Sequence, residues 1–280
     1  MALLPPREEG IPILKYAMFF QQSLGMQVFL YRIIDKPSII ERILHAKKTK
    51  SDLAQTLQNL REQAVKIIPD NLLKHFSYRV KYGKKLPVLL RQSNKGGYEF
   101  LIIGKDGTEN CLKPYELDKL ISHSKIPIMT ISKKYIIPEI KHIVIPVDIT
   151  QSTKKRLLWA TYFAKKYKAK ITILSALNMN IDLKDSLVWR NAEKLKHMLL
   201  QRGINCEVVI LKEIKREKHE VILDYIQKVN PGLVIIRTHQ ESNMKDTQIG
   251  KFVSNLVHNS IIPVFTVTRL QHQMPIDFEI

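Results

Sequence analysis

Cysteine is almost missing from this chain: Cys111 and Cys206 are the only two in 280 residues. A disulfide-stapled scaffold is thereby excluded, and no CxxC pair signals structural zinc. Glycine is scarce as well, at 10 residues, against a usual share of roughly 7%. Few loops can therefore bring bare backbone against a phosphate. No run of 18 apolar residues occurs, so no segment reads as a membrane-spanning helix. The opening MALLPPREEG lacks the charged region and apolar core of a signal peptide. A soluble, reducing, cytoplasmic setting is the expectation. The catalytic signatures GxSxG, HExxH and GxxxxGKS/T are absent too. The nine histidines are scattered, without the i, i+4 spacing that puts two metal ligands on one helix face. Neither an enzyme nor a metal site is expected.

What the chain does have is length, apolar residues and positive charge. At 45% hydrophobic it can build packed cores, and 280 residues suit two domains. Lysine and arginine number 45 against 26 acidic residues, a formal charge of +19. Dividing after Pro138 leaves 23 basic and 12 acidic residues, then 22 and 14, so the excess is 11 and 8. A charge spread this evenly reads as lysine-rich solvated helix faces. A nucleic-acid partner is not expected, because RNA-recognition aromatic signatures are lacking.

The two halves repeat one another. Segment 13–33, ILKYAMFFQQSLGMQVFLYRI, lies beside 157–177, LLWATYFAKKYKAKITILSAL. YEFLIIG (98–104) lies beside PGLVIIR (231–237), SKIPIMTI (124–131) beside SIIPVFTV (260–267), and LLPP (3–6) beside VIPV (144–147). The four matches run in the same order. In the second half, short β-branched runs alternate with helical periods: strands at 142–147, 171–177, 205–211, 233–237 and 263–267, helices at 151–168, 184–202, 220–229 and 248–258. The first half follows the same plan, with its second helix running through Leu53, Leu57, Leu60, Ala64 and Ile67. Its third helix is expected to be poor, because Pro87 falls within it and glycines end it early. Strands alternating with helices imply parallel βαβ units. The expected fold is α/β: two tandem five-stranded, doubly wound parallel sandwiches, residues 1–137 and 138–280. The matching SxIP strands would pair across a pseudo-twofold axis.

In doubly wound sheets ligands bind beyond the carboxyl ends of the strands, where the strand order reverses. After the first strand of the second repeat stands Asp148, followed by Thr150 and Ser152. These residues suit a helix N-cap, and Asp148 also suits a polar anchor for a ligand sugar or base. After the fourth strand the first repeat reads Gly104-Lys105-Asp106-Gly107, either a phosphate-facing turn or a plain surface turn. The second repeat reads Arg237-Thr238-His239-Gln240 there. Arg237 would bind an anion by charge or fill the pocket. Gly250 and Lys251 open the helix that follows.

These segments together resemble a tandem universal stress protein, over roughly residues 2–132 and 140–268. The resemblance rests on VIPVDITQS, FAKKYKAKITIL, PGLVIIRTHQ and IGKFVSNLVHNSIIPVFTV, with FLIIGKDG and LISHSKIPIMTI in the first repeat. It implies an adenine-nucleotide alpha-hydrolase-like fold whose repeats pair through their fifth strands, so that one chain mimics a family dimer. Family members that bind ATP carry G-x2-G-x9-G-S/T after the fourth strand and Asp after the first. Here the first repeat keeps Gly104 and Gly107 but has Leu117-Asp118 at the last pair and Arg7 at the Asp position. The second keeps Asp148 and Gly250 but has Arg237, Gln240 and Lys251 elsewhere. The expectation is a non-enzymatic stress-response module with weak or no binding of ATP or another adenine nucleotide. The alternative is a nucleotide- or anion-binding sensor using Asp148, Arg237, Gly250, Lys251, Gly104 and Gly107. A homodimer and a regulatory partner protein are further expectations of the resemblance.

Overall fold

The computed structural model describes residues 1–36, 46–106, 111–134, 139–147, 154–177, 187–238 and 249–268. Ten strands form one sheet: β1 Ala2–Leu3, β2 Val28–Ile34, β3 Phe76–Tyr82, β4 Leu101–Gly104, β5 Ile128–Ile131, β6 His142–Pro146, β7 Lys170–Leu177, β8 Cys206–Lys212, β9 Leu233–Arg237 and β10 Val264–Val267. Their order is β3-β2-β1-β4-β5-β10-β9-β6-β7-β8. Every neighbouring pair is parallel except β5 and β10. Each half is thus a 3-2-1-4-5 sheet, and the halves join edge to edge. The two expected sandwiches share a single sheet.

The junction pairs Val264 with Thr130, Phe265 with Met129 and Thr266 with Ile128. Both fifth strands are wholly buried and apolar but for one threonine each, and an unpaired edge of that kind would seek another strand. Thr130 Oγ1 donates to Val264 O (3.3 Å), and Thr266 Oγ1 donates to Ile128 O (3.0 Å). These reciprocal bonds place the pseudo-twofold axis between the strands.

Long helices cover both faces: α1 Ile11–Leu24, α2 Ala46–Val65, α3 Lys85–Asn94 and α4 Pro114–His123, then α5 Lys154–Tyr167, α6 Leu187–Leu200, α7 Lys218–Val229 and α8 Lys251–Asn259. The apolar sides of α1, α2, α5 and α6 build the core on one face. Those of α3, α4, α7 and α8 build the other. Strand β9 shows why the sheet is covered twice: Leu233 and Ile235 enter the first core, Val234 and Ile236 the second. The third helix of the first repeat is regular, against the expectation from Pro87. That proline occupies the third helical position, where no intrahelical N–H bond is forfeited. Gly96 and Gly97, with φ of 83° and 85°, close the turn that follows.

Helices α1 and α5 also meet across the axis. Phe19 stacks on Tyr167 at 5.1 Å, and Ser23 Oγ lies 2.8 Å from the Tyr167 hydroxyl. Behind them Phe100, Trp159, Phe163 and Phe265 form an aromatic cluster, with Trp159 and Phe265 centroids 5.0 Å apart. Trp159 and Phe163 are fully buried, and Tyr162 beside them is half-buried. Cys206 is a small core side chain, its thiol pushed up to about 12 by burial.

Candidate functional site

The strand order reverses between β1 and β4 in the first half and between β6 and β9 in the second, which opens a crevice at their carboxyl ends. Register sets the equivalences there. Gly104 ends β4 opposite Ile131, and Arg237 ends β9 opposite Val267. The next residues donate identical bonds: Lys105 N to Ile131 O and Thr238 N to Val267 O, both 3.2 Å. Gly104 therefore corresponds to Arg237 and Lys105 to Thr238.

The first repeat commits these positions to holding the halves together. Lys105 is buried, and its Nζ crosses to the second repeat. There it donates to Val257 O (2.6 Å) and to Ser260 O, the free carbonyls at the carboxyl end of α8. A cation at that end complements the helix dipole and its orphan acceptors. Burial lowers the Lys105 ammonium to about 8, opposed by the nearby Asp106 carboxylate. Asp106 in turn accepts from Ser132 Oγ (3.1 Å) and from Lys133 N. Asp118 stands on α4 and likewise reaches α8, accepting from Ser254 Oγ (2.9 Å) and His258 Nε2 (2.7 Å). The mirror-related helix end is capped differently: Thr268 Oγ1 donates to Ser124 O at the end of α4 (2.8 Å).

The first turn of that repeat is filled by side chains. Arg32 is buried on β2 and donates to Leu4 O and Pro5 O, each at 3.4 Å, and to Gln63 Oε1. Gln63 Nε2 donates to Pro5 O (3.1 Å) and Arg7 O (2.7 Å). Burial pulls the Arg32 guanidinium below the usual arginine range. A crevice of about 380 Å³ remains beside β1 and β2, lined by Pro5, Pro6, Arg32, Asp35 and Lys85 among others. These residues do not fit a triphosphate held in the manner that the family resemblance implies. Lys105 and Asp118 are directed to α8 and Arg32 to the turn; Asp118 lies inside α4, whose N-cap is Lys113, so Leu117-Asp118 is not the counterpart of Gly250-Lys251.

In the second repeat Gly250 is the extended N-cap of α8 and is buried. Lys251 is exposed, and its Nζ lies 3.7 Å from Glu217 Oε1. Thr238 is buried, with no hydrogen-bond partner for its hydroxyl among the described residues. Asp148 and Gly107 lie outside the described residues, as do Gln240, Thr150 and Ser152. No group of three or more His, Cys, Asp or Glu among the described residues could hold a metal ion.

Gly104 is not forced by space. An added Cβ would lie 3.4 Å from Ile13 Cδ1 and 3.7 Å from Cys111 Sγ, ordinary contact distances. Gly104→Ala is expected to change stability by less than about 1 kcal/mol in urea unfolding. A larger loss would mean that the strand end cannot give at all.

A doubly wound, tandem α/β chain with switch-point crevices is the class that this architecture defines. Residues 139–268 match the model of the universal stress protein family, so the second half carries a universal stress protein domain. The whole chain shares its fold with a universal stress protein from Archaeoglobus fulgidus DSM 4304, at 17% identity and TM-score 0.68, over 96% of this chain and 98% of that one. A functionally unknown protein from Pseudomonas aeruginosa PAO1 is similar at 18% identity and TM-score 0.60, over 95% and 92%. No curated protein sequence matches the chain. No helix among the described residues is long and apolar enough to cross a membrane.

Proposed function

We infer that the chain is a non-enzymatic, cytoplasmic stress-response module whose two repeats, 1–137 and 138–280, act as a built-in dimer and regulate a partner protein. One observation carries this reading. Lys105, which follows the fourth strand of the first repeat, and Asp118, inside α4, bond to α8 of the second across 136–152 residues of sequence. Groups engaged in that way are not free to recognise phosphate. The first repeat on this view is a structural half that supports the second.

The second repeat has one feature that favours an alternative, an anion-binding sensor. The buried Thr238 hydroxyl, beside Arg237, has no hydrogen-bond partner among the described residues. Under the main reading Arg237 closes that crevice instead. Isothermal titration with Mg-ATP is expected to show no binding tighter than roughly 10 μM, about −7 kcal/mol. Arg237→Gly is expected to tighten binding, because it returns space and backbone access. Sub-micromolar affinity in the wild type overturns the reading. A loss of about 1.5–3 kcal/mol of binding in Arg237→Gly, the worth of a hydrogen bond to a charged group, supports the sensor instead.

A further inference from the structure

A cavity of about 500 Å³ opens at the opposite end of the sheet, by the amino ends of β1, β2 and β4. Its floor is made of fully buried groups, Ala17, Phe20, Phe100 and Ile102. Half-buried Leu24, Met26, Phe29, Tyr98 and Tyr162 form the walls, and exposed Gly25, Gln27, Gly97 and Glu99 the rim. An apolar floor under a sparse polar rim, in this size range, is the anatomy of a small-molecule site.

The walls are fixed before any ligand arrives. The Tyr98 hydroxyl lies 2.6 Å from that of Tyr31, and its ring meets Phe29 edge-on at 5.5 Å. Phe20 and Phe100 meet edge-on at 5.2 Å. Tyr162 comes from α5 of the second repeat and rests edge-on against Trp159 at 6.0 Å. The site therefore belongs to both repeats. At the corresponding end of the second repeat Ile140 is buried and Gly232 lies against the backbone of residues 139–140.

Charge selects the ligand. The chain has 45 lysines and arginines, yet none is among the residues that line this cavity. Its one charged side chain is the acidic Glu99, and the Met1 amino group at its edge donates to Phe100 O (3.0 Å) and is lowered to about 5 by burial. Anions are disfavoured, and five aromatic rings offer faces and edges to another ring. We propose that this cavity binds a neutral two-ring or fused-ring aromatic compound, whose polar end meets Gln27 and Glu99 at the rim.

The test uses the full chain and the neutral fluorescent probe N-phenyl-1-naphthylamine. The chain has two tryptophans, so Trp189→Phe leaves Trp159, which lies behind the cavity wall, as the single donor for energy transfer. One saturable site per chain is expected, with Trp159 emission falling as the probe binds. Met26→Arg places a charge on the wall and Ala17→Leu fills the floor, and each should weaken binding about ten-fold or more. Circular dichroism confirms that each variant is folded. Should Ala17→Leu fail to fold, the half-exposed Met26→Arg decides alone. No saturable binding, binding without loss of Trp159 emission, or wild-type affinity in the folded variants overturns the proposal.

Discussion

Lys105→Met should remove a pH dependence from the stability of this protein. Folding buries the Lys105 ammonium and lowers it from 10.5 to about 8. Between those values the unfolded chain holds more protons than the folded one, so stability rises with pH across that window. Below about pH 8 both states are charged, and the cost of burying the cation is fully present. Through the full window the gain is about 3 kcal/mol, at roughly 1.4 kcal/mol per pH unit. The difference between wild type and Lys105→Met is the quantity to follow, because contributions common to both proteins cancel in it. Urea unfolding at pH 7, 8.5 and 10 should show that difference moving in favour of the wild type. Parallel profiles for the two proteins would mean that Lys105 is solvated and does not cap α8.

Gly232→Ala should cost about 3 kcal/mol, the upper end of what overpacking costs. An added Cβ would lie 2.8 Å from Ile140 Cα and closer still to Glu139 O. Both obstacles are backbone, so neither can rotate away. Gly232 N also donates to His142 O (2.9 Å), which ties the start of β9 to the start of β6. Gly10→Ala is a useful contrast. Its closest obstacle, at 2.5 Å, is the tip of the Gln63 side chain, although Pro5 O at 2.7 Å is backbone. The Gly10 variant should lose less. Chemical denaturation of both decides the matter, and a loss below about 1 kcal/mol for Gly232→Ala would show that β9 can shift outward freely.

The repeat, the alternation of strand and helix and the pairing of the fifth strands could all be read from the sequence. Each is written in a short stretch. LVIIR at 233–237 needs only four alternately facing apolar residues to declare a strand covered on both sides. Asn230, with φ of 44°, ends α7 as an Asn-Pro-Gly sequence suggests. The first repeat's third helix is regular despite Pro87 because that proline lies in the first turn, where its missing N–H forfeits no intrahelical bond. Gly104 and Arg237 could be aligned by eye, and register then fixed them as equivalents.

What the local pattern could not contain is the use to which Lys105 and Asp118 are put. In sequence Lys105 is one lysine in a turn among many lysines, and Asp118 one acid on a helix. Their partners lie 136 to 155 residues away. The aromatic cavity is equally invisible, since its rings come from α1, β2, the loop before β4 and α5. The sequence by itself determined the elements and their order, because backbone preference and periodicity act over a few residues. Only the tertiary structure decided which side chains meet at the junction of the repeats. That outcome depends on the antiparallel register of β5 and β10, which brings α4 and α8 together at distances no neighbouring residue encodes.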